Sequence, residues 1–116
     1  MELEGFVREE FRRREGLVRS FFTAESARLA RCCHQMAERF ARGGRILAFG
    51  LGAAATDAQH ISVEFVHPVI VGKRALPAIA LPNDGPSSLG LMAEDPVSIF
   101  ARQIDALGLP EDIAIG

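Results

Sequence analysis

Four titratable side chains stand close together in one stretch of this 116-residue chain: Asp57, His60, Glu64 and His67. Their spacing, i, i+3, i+7 and i+10, lines all four along one face if the stretch is helical. A stripe of carboxylates and imidazoles can bind a metal ion or move protons. Just ahead of it runs Gly50-Leu51-Gly52-Ala53-Ala54-Ala55, a turn of glycine, alanine and one leucine. Ahead of that is the almost wholly apolar run Ile46-Leu47-Ala48-Phe49. Strand, glycine turn, helix is the layout of an α/β ligand site, in which a loop at a strand's carboxyl end feeds a helix N-terminus.

The flanking segments must position that stretch. Residues 3–20 read as a first helix, with Leu3, Phe6, Val7, Phe11, Leu17, Val18 and Phe21 as a broken apolar stripe and Gly16 as a possible bend. Residues 23–41 read as a second, with Leu29, Cys33, Met36 and Phe40 on one face and Gly43-Gly44 as its stop. Their phenylalanine-rich face suits either packing on the chain's own sheet or association between subunits. The strand at 46–49 has no polar alternation, so it is expected to be buried on both faces, as in a parallel sheet. Thr56 and Gln59 have capping-box spacing, which puts the start of the next helix near Thr56, and Pro68 closes it. Residues 69–71 are expected to be extended and 72–74 to turn.

Ala75–Leu81 reads as the second strand, with Pro77 at its beginning or on an edge. The turn Pro82-Asn83-Asp84-Gly85-Pro86 follows, then a short helical segment at 87–92. Asp95-Pro96 looks like a helix start, with Val97, Phe100, Ile104 and Leu107 as the buried stripe and Gly108 and Pro110 as the end. Asp112–Gly116 begins a third strand. The order of elements predicts a doubly wound α/β sheet preceded by two helices, in a single domain over 1–116: leading helices at 1–43 and the first three strands at 44–116. A third strand without the loop expected after it points to part of a larger domain.

Composition narrows the functions. Net charge is −2 and glutamates interleave with the arginines of the first helix, which reads as a solvated helix face and not as a nucleic-acid footprint. No apolar run approaches the ~20 residues of a membrane span. The two cysteines, Cys32 and Cys33, are adjacent and cannot form an ordinary structural disulfide with each other; they are expected to pack as small apolar residues. A reducing, cytoplasmic setting fits, and the charged N-terminus has no signal-peptide core.

Several blocks, in order, resemble the sugar isomerase (SIS) domain family and within it the phosphoheptose isomerases: GGRILAFGLG, DAQHISVEFV, LPAIALPND and IFARQIDALG, all between Met36 and Gly116. The resemblance implies a parallel, flavodoxin-like three-layer sheet, usually assembled as a homodimer or homotetramer. It implies a sugar phosphate as ligand, with aldose–ketose isomerisation of sedoheptulose 7-phosphate as the reaction. By the same resemblance His60 and Glu64 contribute to a zinc site, and Glu64 is the proton-transfer base. Gly50, Gly52, Ala53 and Ala54 lie in the substrate loop, and Asp84 matches an aspartate of a second substrate loop. His67 could serve as a further ligand.

The chain departs from the family at Leu51 and Ala54, where the pattern G-N-G-G-S-A has asparagine and serine. The family's serine- and threonine-rich phosphate loop, which follows the third strand, and its later glutamine and histidine are missing from these 116 residues. Three readings stay open: a sugar-phosphate isomerase, a non-catalytic phosphosugar-binding or regulatory module, and an oligomeric adaptor of the kind that binds the bacterial replication initiator, which would use the arginine-rich first helix.

Overall fold

The computed structural model describes residues 2–116. They divide into two compact units, one ending at Gln35 and one spanning Met36–Gly116. From Leu3 onward the first unit is helix. It belongs to a single helix, α1, Leu3–Ala41, where two helices were expected. The physical reasons are local. There is no proline in the stretch, and Gly16 costs a helix interior only about 1 kcal/mol. The hydroxyls near the expected break bond back along the same helix: Ser20 Oγ donates to the Gly16 carbonyl at 2.9 Å and Thr23 Oγ1 to the Arg19 carbonyl at 2.8 Å. The arginines pair along the helix, Arg8 with Glu4, Arg13 with Glu10 and Arg19 with Glu15, as a solvated face should. The apolar stripe stays open: Leu3, Phe6, Val7, Phe11, Leu17, Val18, Phe21 and Phe22 are all at least half exposed. Cys32 and Cys33 are free and exposed, not packed as expected.

The second unit is built on a three-stranded parallel sheet. Strand β1, Ile46–Ala48, lies between β2, Ala78–Ala80, and β3, Ile113–Ile115. Ile46 is in register with Ala78 on one side and Ile113 on the other. All three β1 residues are buried, which is what an apolar run without alternation predicts for a central parallel strand. Ile46 and Ala48 share a core with Met36, Phe40, Ile61, Phe65, Ile113 and Ile115. Phe40 and Phe65 stack within it at a centroid separation of 5.7 Å. Leu47 points to the other face and is equally buried.

The lower end of the sheet is held by charge and close approach. Gly43, at φ 90°, ends the helix in the left-handed region, and the Gly44 N–H donates to the Arg39 carbonyl at 2.9 Å. A Cβ on Gly44 would sit 2.2 Å from the Glu111 carbonyl oxygen, so only glycine allows the β3 lead-in to pass. Asp112 ties β1 to β3. It accepts from the Arg45 backbone N–H at 2.8 Å, from Arg45 Nη2 at 2.7 Å and from the Leu109 N–H at 3.0 Å.

Several boundaries in this unit differ from expectation. Strand β2 begins only at Ala78, because Pro77 has no N–H for the ladder; its carbonyl instead accepts from the Ile46 N–H at 3.0 Å. Residues 69–71 turn where an extended segment was expected: the Lys73 N–H donates to the Ile70 carbonyl, and Gly72 adopts φ 82°. The segment after the second strand is a full helix, α3, Gly85–Glu94. The next, α4, Ile99–Leu107, starts later than Asp95-Pro96 suggested. There the Asp95 carboxylate accepts from the Val97 N–H at 3.1 Å and the Ser98 hydroxyl at 2.7 Å, forming a turn before the helix. Val97, expected in the buried stripe, is therefore exposed.

Candidate functional site

The candidate site forms at the carboxyl end of β1. Gly50 is packed so closely against the next helix that a Cβ there would lie 2.6 Å from Ala54 Cβ. Gly52 takes φ 58° and opens helix α2, Ala53–Val66, with no side chain capping it. The helix thus starts one turn before Thr56. The reason lies in the backbone: the Ala54 and Ala55 N–H groups close onto the Leu51 and Gly52 carbonyls at 3.1 Å, so no hydroxyl is needed to begin the turn. A helix N-terminus that no side chain caps is the arrangement that receives anions, here with Leu51 the one large side chain of the turn.

Along α2, Ala58 is buried, and Ile61 and Phe65 pack on the sheet. Asp57, His60 and Glu64 fall on the opposite side of the helix by the 3.6-residue period. His60 Nε2 and Glu64 Oε1 lie 3.1 Å apart, with side-chain exposures of 71% and 45%. The pair therefore faces away from the chain's own core. His67 leaves the helical path as the C-cap, at φ −131°, so the four-residue stripe is three residues of helix plus one outside it.

A zinc site takes four ligands, or three and a water. His60 and Glu64 supply two, and among the described residues no group of three or more His, Cys, Asp or Glu side chains is placed to hold a metal ion. The residues present do not make up a zinc site by themselves.

Asp84 lies beyond β2, after the short 3₁₀ turn Leu81–Asn83. Its carboxylate caps α3: Oδ2 accepts from the Ser87 hydroxyl at 2.7 Å and Oδ1 from the Ser87 N–H at 3.0 Å. These two bonds, the hydroxyl's first, hold its pKa below the ordinary carboxylate value. Asp84 also lines a cleft of about 490 Å³ between α3 and α4, with Ser87, Glu94, Arg102 and Gln103. One link has no signature in the residue pattern: Gln59 Nε2 donates to Asn83 Oδ1 at 2.8 Å, joining α2 to the Asp84 turn. Gln59 read as a capping partner of Thr56; only the fold brings residue 83 alongside.

The SIS domain model matches residues 11–116. The chain belongs to the SIS domain family. It is 41% identical over 102 residues to the phosphoheptose isomerase of Desulfovibrio desulfuricans, covering 86% of this chain and 48% of that protein. It is 36% identical over 117 residues to that of Thermodesulfovibrio yellowstonii, covering 100% of this chain and 58% of that protein. The chain thus spans about half the length of such relatives. A phosphoheptose isomerase structure from Francisella tularensis superimposes with a TM-score of 0.84 at 26% identity, over 98% of this chain and 59% of that one. One from Neisseria gonorrhoeae gives 0.82 at 24% identity, over 97% and 59%, and bears on the fold alone. The SIS assignment and the parallel α/β fold expected from the sequence both stand. No helix among the described residues is long and apolar enough to cross a membrane.

Proposed function

We propose that this SIS domain binds a sugar phosphate at the β1–α2 turn and carries part of an aldose–ketose isomerase site, with sedoheptulose 7-phosphate as substrate. One observation carries the reading: the Gly50–Gly52 turn opens a helix that no side chain caps, and the His60–Glu64 pair sits two turns along that same helix. In this reading the backbone N–H groups of Gly50, Gly52 and Ala53 receive the anionic end, while Ala54, whose N–H is held by the Leu51 carbonyl, shapes the turn. Glu64 takes a proton from one sugar carbon and returns it to its neighbour through an enediol, with His60 beside it. Asp84 accepts from a sugar hydroxyl. His60 and Glu64 would enter a zinc site only alongside donors from another segment or a second copy. Because the pair faces outward and α1 leaves its apolar stripe open, the active form is a homodimer or homotetramer, in the cytoplasm.

Calorimetry and turnover with sedoheptulose 7-phosphate test this together. Binding, with turnover lost in Glu64→Gln but affinity kept, is the expected result. Absence of binding by the oligomeric protein sinks the reading. A second reading has its own support. Leu51, exposed at the turn, lines an apolar pocket of about 350 Å³ with Phe49, Val97 and Phe100, where the family pattern has a polar side chain. Binding without any turnover would favour that reading, a phosphosugar-binding module.

A further inference from the structure

The candidate site has two parts on different elements: the outward face of α2, with His60 and Glu64, and the turn after β2, with Asp84. Helix α2 packs on β2 and on the 3₁₀ turn after it, while its buried and half-buried side chains, Ala58, Ile61 and Phe65, lie away from His60 and Glu64. Besides the backbone bond from the Leu76 N–H to the Phe65 carbonyl at 2.8 Å, two side-chain links run from α2 to the β2 segment, one helical turn apart. Ser62 Oγ donates to the Ala78 carbonyl at 3.1 Å, at the start of the strand. Gln59 Nε2 donates to Asn83 Oδ1 at 2.8 Å, beyond its end. Gln59 is the neighbour of His60, and Asn83 is the neighbour of Asp84. Asp84 in turn holds Ser87 by both its N–H and its hydroxyl. A chain of side-chain bonds therefore runs from α2, through Asn83, to the first turn of α3.

We propose that Gln59 is a positioning residue, clamping the Asp84 turn to α2 so that both parts of the phosphosugar site keep one geometry. The functional half of this statement rests on the phosphosugar reading above; the mechanical half does not. Both amides are exposed, so the bond contributes little to global stability, and its loss acts locally on the turn and on α3.

The test uses the ability of an amide to donate or accept. Asn83→Asp keeps an acceptor for the Gln59 amide. Gln59→Glu keeps the bond if the Asn83 amide rotates to donate. The double variant sets two carboxylates against each other and cannot form it. Hydrogen exchange at the Ser87 and Ser88 amides is read in all four proteins. The expected result is near-native exchange in both single variants and exchange about fivefold faster in the double, the ratio that one net hydrogen bond supports. Amides in the middle of α2 should not change. Additive effects, or equal acceleration along the whole of α2, would overturn the clamp. Affinity for sedoheptulose 7-phosphate, measured on the same four proteins, should fall with the same non-additive pattern. If the unsubstituted protein does not bind that sugar, the phosphosugar reading fails while the exchange pattern still decides the clamp. If it binds and the four affinities are equal, the clamp does not serve the site.

Discussion

Replacing Asp112 by asparagine should cost this fold more than any other single charge change, and the cost should disappear in acid. The carboxylate is 5% exposed and meets Arg45, 28% exposed, at 2.7 Å. It accepts from Arg45 Nε and Nη2, from the Arg45 backbone N–H and from the Leu109 N–H. The Arg45 guanidinium is the main cause that pulls its pKa from the ordinary 3.8 to about 2, against the opposing effect of burial. At 1.36 kcal/mol per pKa unit that difference is worth about 2 kcal/mol, an upper figure because Arg45 is partly in water. Asparagine also turns an NH₂ toward donors, so the total loss at neutral pH should be about 2–3 kcal/mol. The sign with pH follows from the lowered pKa. The contribution is complete above about pH 5, where the unfolded carboxylate is fully ionised, and is lost as pH falls toward 2. Urea unfolding should therefore separate the two proteins at pH 7 and bring them together near pH 2. The chain has no tryptophan or tyrosine, so far-ultraviolet circular dichroism is the probe. Equal midpoints at pH 7, or a gap that persists unchanged to pH 2, would refute the role assigned to Asp112.

Three further outcomes can be measured. Gly44→Ala drives a Cβ into the Glu111 carbonyl and should lower stability by about 2–3 kcal/mol, whereas Gly16→Ala meets nothing within 4 Å and should raise it by about 0.5–1 kcal/mol. Thermal melts of the two variants moving in the same direction would contradict the local accounts of both glycines. Gly50→Ala brings a Cβ to 2.6 Å from that of Ala54, so it should push the start of α2 away from β1 at a cost of about 1–3 kcal/mol and weaken sugar-phosphate binding, read by calorimetry. Asp84→Ala should lower the protection of the Ser87 amide, taken as the ratio of its intrinsic to its observed exchange rate, and acid should do the same to the unsubstituted protein as its carboxylate protonates below its ordinary range; protection indifferent to both would remove Asp84 as the cap of α3.

Much of the second unit was legible because its strongest signals are local. Ile46–Ala48 has no polar residue to alternate, so a central parallel strand was the natural reading and is what forms. Glycine pairs, proline and the Asp95 turn marked the ends of elements to within a few residues. What misled was chemistry with two uses. Gly16 can mark a bend or sit inside a continuous helix, and in a stretch without proline, where Ser20 and Thr23 bond back to the preceding turn, the second holds. Gln59 can complete a capping box or reach a partner 24 residues away, and sequence spacing ranks only the first. Val97 matched a helical stripe, but Asp95 spends both carboxylate oxygens on the turn around it and leaves it outside.

The outward direction of His60 and Glu64 bears on the whole functional reading. Residues four apart on a helix share a face whatever the fold; which face it is depends on where the apolar positions fall. Here Ala58, Ile61 and Phe65 take the side toward the sheet, so the period that buries them turns His60 and Glu64 to the far side. An exposed imidazole–carboxylate pair lacks the low-dielectric, water-excluded setting in which proton transfer from carbon is efficient. Burial from outside this unit would supply it. Substitution of an exposed α1 phenylalanine, Phe11→Asp, separates the possibilities without touching the pair. If a second copy covers the site, the variant should lose both its assembly, measured by sedimentation, and any turnover of sedoheptulose 7-phosphate. Turnover that survives in a monomeric variant would show that the pair works in water, and would remove the case for a site shared between subunits.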